Sequence, residues 1–65
     1  MTNNVRQLRE ARGMTQKDLS LHVGVSRQAI NAIETGKYDP SIRLAFALAQ
    51  FFSKTVEELF QEDQP

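Results

Sequence analysis

The chain has 65 residues, no cysteine and one histidine, His22, which leaves room for a single domain and excludes disulfides, thiolate metal sites and clusters of imidazole ligands. Apolar residues make up 40% and charged residues 25%, a soluble globular balance, and no apolar run approaches the roughly 20 residues of a membrane span. Eight basic residues offset eight acidic ones, and a net charge of zero, taken alone, argues against a nucleic-acid binder.

Glycines and hydroxyl residues punctuate the chain. Val5, Leu8, Ala11 and Arg12 have helical spacing, and Gly13 stands where a helix-terminating glycine belongs. Thr15 opens a second helix with Asp18 three residues on, a variant of the capping box; Leu19 and Val23 share its apolar face and Gly24 ends it. Ser26 caps a third helix whose Ile30 and Ile33 point inward, ending at Gly36. Tyr38-Asp39-Pro40-Ser41 is turn chemistry, with Ser41 the cap of a fourth helix. Thr55-Val56-Glu57-Glu58 is a full capping box opening a short last helix that carries Leu59 and Phe60. Nothing alternates in the manner of a strand, and the connections are two to six residues long, so the pattern predicts an all-α domain with Gln61–Pro65 as a loose end.

The charges are unevenly spread. Residues 1–45 hold seven basic and four acidic side chains, a net +3, whereas residues 46–65 hold Lys54 against four acids, a net −3. A small protein polarised in this way can orient on a charged partner while sticking little to the wrong one.

The segment from Thr15 to Glu34, TQKDLSLHVGVSRQAINAIE, carries the functional signal. A helix, a turn on Gly24-Val25-Ser26 and a second helix are arranged so that Leu19, Val23, Ile30 and Ile33 face one another, with a small residue, Ser20, at the crossing and Val25 beneath the turn. That spacing is the signature of a DNA-binding helix-turn-helix.

With Leu8-Arg9, Met14-Thr15-Gln16, Gly24-Val25-Ser26, Ile33-Glu34, Gly36-Lys37, Pro40-Ser41 and Leu48-Ala49 in place, nearly the whole chain resembles the lambda-repressor/Cro-like, Xre-type helix-turn-helix family. It is most similar to the short stand-alone type represented by the enterococcal cytolysin repressor. The resemblance implies a five-helix domain over residues 1–65, with the helix-turn-helix at 15–34 and a dimerisation region at 42–65. It also implies that the chain ends, Thr2–Asn4 and Gln61–Asp63, pair as a small antiparallel ribbon, which the residues themselves do not suggest.

Carried onto this chain, the family's base-reading positions near the start of the third helix are Ser26, Arg27, Gln28, Asn31 and Ala32. Independent chemistry agrees, because arginine forks onto guanine O6 and N7 while glutamine or asparagine can pair with adenine. The plain alternative is the solvated face of an amphipathic helix. The resemblance also puts Gln16 on a DNA phosphate, where helix N-terminal amides point outward. Lys17, Lys37, Tyr38 and Arg43 are further candidates for the phosphate backbone. In the family, Arg9 and Glu34 form a partly buried salt bridge, a structural role that takes Glu34 out of catalytic consideration. His22 reads as a surface histidine.

The fourth helix, from Ile42 to Phe52, is apolar nearly all round, as helices buried on more than one side are. Leu44, Leu48, Ala49 and Phe52 suit the core. Ile42, Ala45, Phe46 and Phe51, with Val56 and Phe60, are left for a twofold dimer interface, the staple that so small a core needs. The expected function is a cytoplasmic, sequence-specific regulator, most simply a homodimeric repressor on an inverted repeat of double-stranded DNA. No cofactor, metal, membrane or small-molecule effector is expected, and no nucleophile, base and pocket suggest an enzyme. An antitoxin, a restriction–modification controller or an adaptor that has lost DNA binding are the alternatives.

Overall fold

A computed structural model describes residues 1–62. Five helices fold around one core: α1 (Val5–Ala11), α2 (Gln16–Val23), α3 (Arg27–Glu34), α4 (Ile42–Phe51) and α5 (Val56–Leu59). Two short strands, β1 (Thr2–Asn3) and β2 (Phe60–Gln61), pair antiparallel, with Thr2 opposite Gln61 and Asn3 opposite Phe60.

Local chemistry sets the helix starts. The hydroxyls of Thr15, Ser26, Ser41 and Thr55 accept from the amides of Asp18, Ala29, Leu44 and Glu58 at 3.0–3.1 Å. Asp18 and Glu58 return the bond to the amides of Thr15 and Thr55, closing two capping boxes. Between α2 and α3 the chain turns on Gly24 at φ +74°, a left-handed conformation that costs a side chain dearly and glycine little.

Val5, Leu19, Ile30, Ile33, Leu48 and Leu59 are fully buried, one or two from each helix, with Leu44, Ala45, Ala49, Phe52 and Phe60 closing the core around them. Ser20 is buried on α2, its hydroxyl turned back onto the Lys17 carbonyl at 2.7 Å.

Three details depart from the sequence pattern. The link from α3 to α4, residues 35–41, is seven residues long. Phe60 leaves the last helix for extended backbone (φ −123°, ψ 135°) and is buried there. Gln61 is not loose: Phe60–Gln61 pairs with β1, one residue earlier than the family resemblance implies, and residues 63–65, Asp63 among them, lie outside the described residues. Asparagines, rather than alternation, hold this ribbon. Asn3 Nδ2 donates to the Ile33 carbonyl at 2.9 Å and its Oδ1 accepts from Val5 N, tying β1 to α3 and to the start of α1, while the Asn4 backbone amide donates to the Leu59 carbonyl and Asn4 Nδ2 to that of Glu58.

Candidate nucleic-acid interface

The face formed by the start of α2 and the outer side of α3 collects most of the predicted DNA-reading residues. Ile30 and Ile33 anchor α3 inward, which turns Arg27, Gln28 and Asn31 out into solvent. With Gln16 these three line an open depression of about 330 Å³. Ser26 is exposed, but its oxygen already caps Ala29 N, leaving the hydroxyl hydrogen as its free donor. Ala32 is half-buried and its carbonyl receives the amides of Lys37 and Tyr38. Lys17, Lys37, Tyr38 and Arg43 are all exposed, spread over α2, the link after α3 and the first turn of α4. A second depression beside α3 is lined by Lys17, Leu21, Ser26 and Arg27; Leu21 is 73% exposed there, a large apolar side chain with no core to join.

Behind this face lies a charge pair. Arg9 Nε and Nη2 fork onto Glu34 Oε2 and Oε1 at 2.7 and 3.1 Å, and Arg9 Nη1 donates to the Met14 carbonyl at 2.7 Å. The Glu34 side chain is 2% exposed. The hydrogen bond to Glu34 raises the pKa of Arg9 above its ordinary value against the opposing effect of burial, so the guanidinium stays charged. The bidentate geometry fixes α1 against the end of α3.

Gln16 couples the pair to the exposed face. Its Nε2 donates to Glu34 Oε1 and to Asn31 Oδ1, both at 3.1 Å. Both bonds leave from one amide nitrogen, at the first residue of α2. The spacing of residues 16, 31 and 34 in sequence carries no sign of this link.

Two other placements were not legible in the sequence. Arg12 lies over the rings of Phe51 and Phe52 at 5.0 and 5.1 Å and donates to the Phe51 carbonyl, tying α1 to the end of α4. His22, exposed as expected, stands 5.0 Å from Phe51. Of the residues expected at a subunit contact, Ile42 and Phe46 are 67% and 60% exposed, one turn apart on α4. Phe51 and Val56 are half-buried, whereas Ala45 and Phe60 are buried within the chain itself.

The profile of the Helix-turn-helix family matches residues 5–59. The chain belongs to this family. A fold of five helices with this turn makes it a lambda-repressor-like, Xre-type member, and its curated relatives are HTH-type transcriptional regulators. One from Methanocaldococcus jannaschii is 50% identical, covering 92% of this chain and 91% of its own. The HTH-type transcriptional activator BcrR of Enterococcus faecalis is 35% identical over 92% of this chain, which spans 29% of BcrR. Among solved structures, the restriction-modification controller protein C.AhdI from Aeromonas hydrophila superposes with a TM-score of 0.77 at 30% identity, covering 86% of this chain and 85% of that one. Among the described residues, no helix is long and apolar enough to cross a membrane.

Proposed function

We propose that this helix-turn-helix protein is a sequence-specific transcriptional repressor that binds an inverted-repeat operator as a homodimer and acts by occlusion. The observation that carries the reading is the donor set on α3: Arg27, Gln28 and Asn31 stand exposed together above apolar anchors, over a depression that opens toward solvent. In this reading Ser26, Arg27, Gln28, Asn31 and Ala32 meet base edges. Gln16, Lys17, Lys37, Tyr38 and Arg43 hold the phosphates that fix register. An adaptor without DNA would have no use for that set.

Exposed Ile42 and Phe46 support the dimer, beside a groove lined by Phe46, Gln50, Lys54 and Val56. Ala45 and Phe60 would back that contact from within the core. A twofold pair sets two copies of α3 about 34 Å apart, one turn of B-DNA.

Selection of bound duplexes from a random pool tests the reading. The expected product is a palindrome with half-sites about one helical turn apart. An asymmetric site would remove the dimer, and no enrichment would remove the DNA function in favour of the adaptor. The likeness to C.AhdI favours a restriction–modification controller as the second reading; neighbouring restriction and methyltransferase genes would decide for it.

A further inference from the structure

We infer that Leu21 is a specificity-determining residue for DNA: it packs on the C5-methyl group of a thymine beside the bases that α3 reads. The inference rests on the DNA-binding reading above and adds to it an apolar contact made from α2.

Leu21 breaks the ordinary pattern of an amphipathic helix. Leu19 fills the inward position of α2 and is fully buried. Leu21 follows two residues later, about 200° around the helix, and is 73% exposed. Lys17 stands one turn earlier on the same stripe. The turn brings the start of α3 up against that stripe, so that Lys17, Leu21, Val25, Ser26, Arg27 and Gln28 line one open depression of about 390 Å³. Four of these are the donors assigned above to phosphates and bases. Leu21 is the exposed apolar side chain in their midst.

The extent of this apolar surface decides what it fits. Tyr38, Ile42 and Phe46, the other large apolar side chains exposed among the described residues, lie on α4 and the link before it, and none of them lines this depression. A protein-docking patch is a contiguous apolar area built from several side chains. One leucine among four donors instead suits a single small apolar group with polar surroundings. The major groove presents donors, acceptors and one such group, the thymine C5-methyl. Forks from Arg27 and Gln28 would read purine edges through N7 with O6 or N6, and they gain nothing from the methyl of a thymine. Leu21 supplies that missing part by burial, since covering the methyl and the leucine takes both out of water. A residue that touched only the sugar-phosphate backbone would affect all sequences alike.

The test uses the duplex that the wild-type full-length chain selects from a random pool. Each thymine is replaced in turn by deoxyuridine, which keeps every hydrogen-bonding group and lacks only the methyl. Binding of the wild-type chain and of Leu21→Ala is read by fluorescence anisotropy. Because Leu21 is exposed and alanine favours a helix, the variant folds as the wild type does, which circular dichroism checks. At one thymine of each half-site, loss of the methyl should weaken wild-type binding about fourfold, the worth of one buried methyl group. The same replacement should change binding of Leu21→Ala by less than about 1.5-fold, because the methyl has already lost its partner. The inference is overturned if every deoxyuridine duplex loses the same factor with both chains. Uniform weakening by Leu21→Ala would then put Leu21 on the backbone, and unchanged binding would leave it to a protein partner. A consensus without an A·T pair overturns the inference as well. A wild-type chain that enriches no duplex removes the DNA reading itself, whereas a clear consensus in which no methyl depends on Leu21 removes only this inference.

Discussion

Ser53 adopts φ +56° just beyond the end of α4, the only non-glycine residue with a positive φ among the described residues. Its amide bonds the Gln50 carbonyl and that of Lys54 bonds Ala49, the same pattern that Gly13 makes after α1 and Gly36 after α3. A side chain in this conformation costs roughly 1–2 kcal/mol, part of which glycine forfeits through its freer unfolded state. Ser53→Gly should therefore stabilise the domain by about 0.5–1 kcal/mol and raise Tm by roughly 2–8 °C, measured by circular dichroism. An unchanged or lower Tm would mean that the serine hydroxyl offsets its own strain. Legibility also varies residue by residue. Arg9 and Glu34 were paired through the family resemblance, and they meet as a fork. The double engagement of Gln16 has no sequence signal, because it exists only where α1, α2 and α3 converge on one carboxylate.

At the scale of the element, the four caps were the most legible feature, since each is decided within four residues of chain. The two capping boxes also carry a charge. The backbone hydrogen bond from Thr15 holds Asp18 below the usual carboxylate range, and the one from Thr55 does the same for Glu58; in each case a hydrogen bond between the threonine side chain and the carboxylate adds to the effect. A carboxylate whose pKa is lowered on folding binds fewer protons folded than unfolded. Its stabilisation is present above the unfolded pKa and is lost as pH falls through the folded one. Melting from pH 7 to pH 3 should show Tm declining below about pH 5, and Asp18→Asn with Glu58→Gln should flatten that decline while retaining both caps. An acid limb of unchanged slope would assign the decline to other groups. What the pattern could not give is β2. A pair of two-residue strands has no alternation to read, and its partners lie at opposite ends of the sequence.

At the scale of the molecule, the surplus apolar surface of α4 was visible in sequence, but its division was not. Ala45 and Phe60 go to the core of the single chain, leaving Ile42 and Phe46 as the large exposed pair. Phe46 is consequently the clean probe of association and Phe60 is not. Phe46→Asp should stay folded yet become monomeric by light scattering, and its Tm should no longer rise with protein concentration as that of a dimer does. A wild-type Tm independent of concentration would count against the dimer from the start. The pairing of residue 2 with residue 61 has a consequence of another kind. Helices and their turns form from neighbours in sequence, whereas this ribbon closes a loop around almost the entire chain, and closing so long a loop is entropically the most expensive contact to make early. The ribbon should then be absent from the folding transition state, so the asparagines that hold it set how slowly the domain opens rather than how fast it forms.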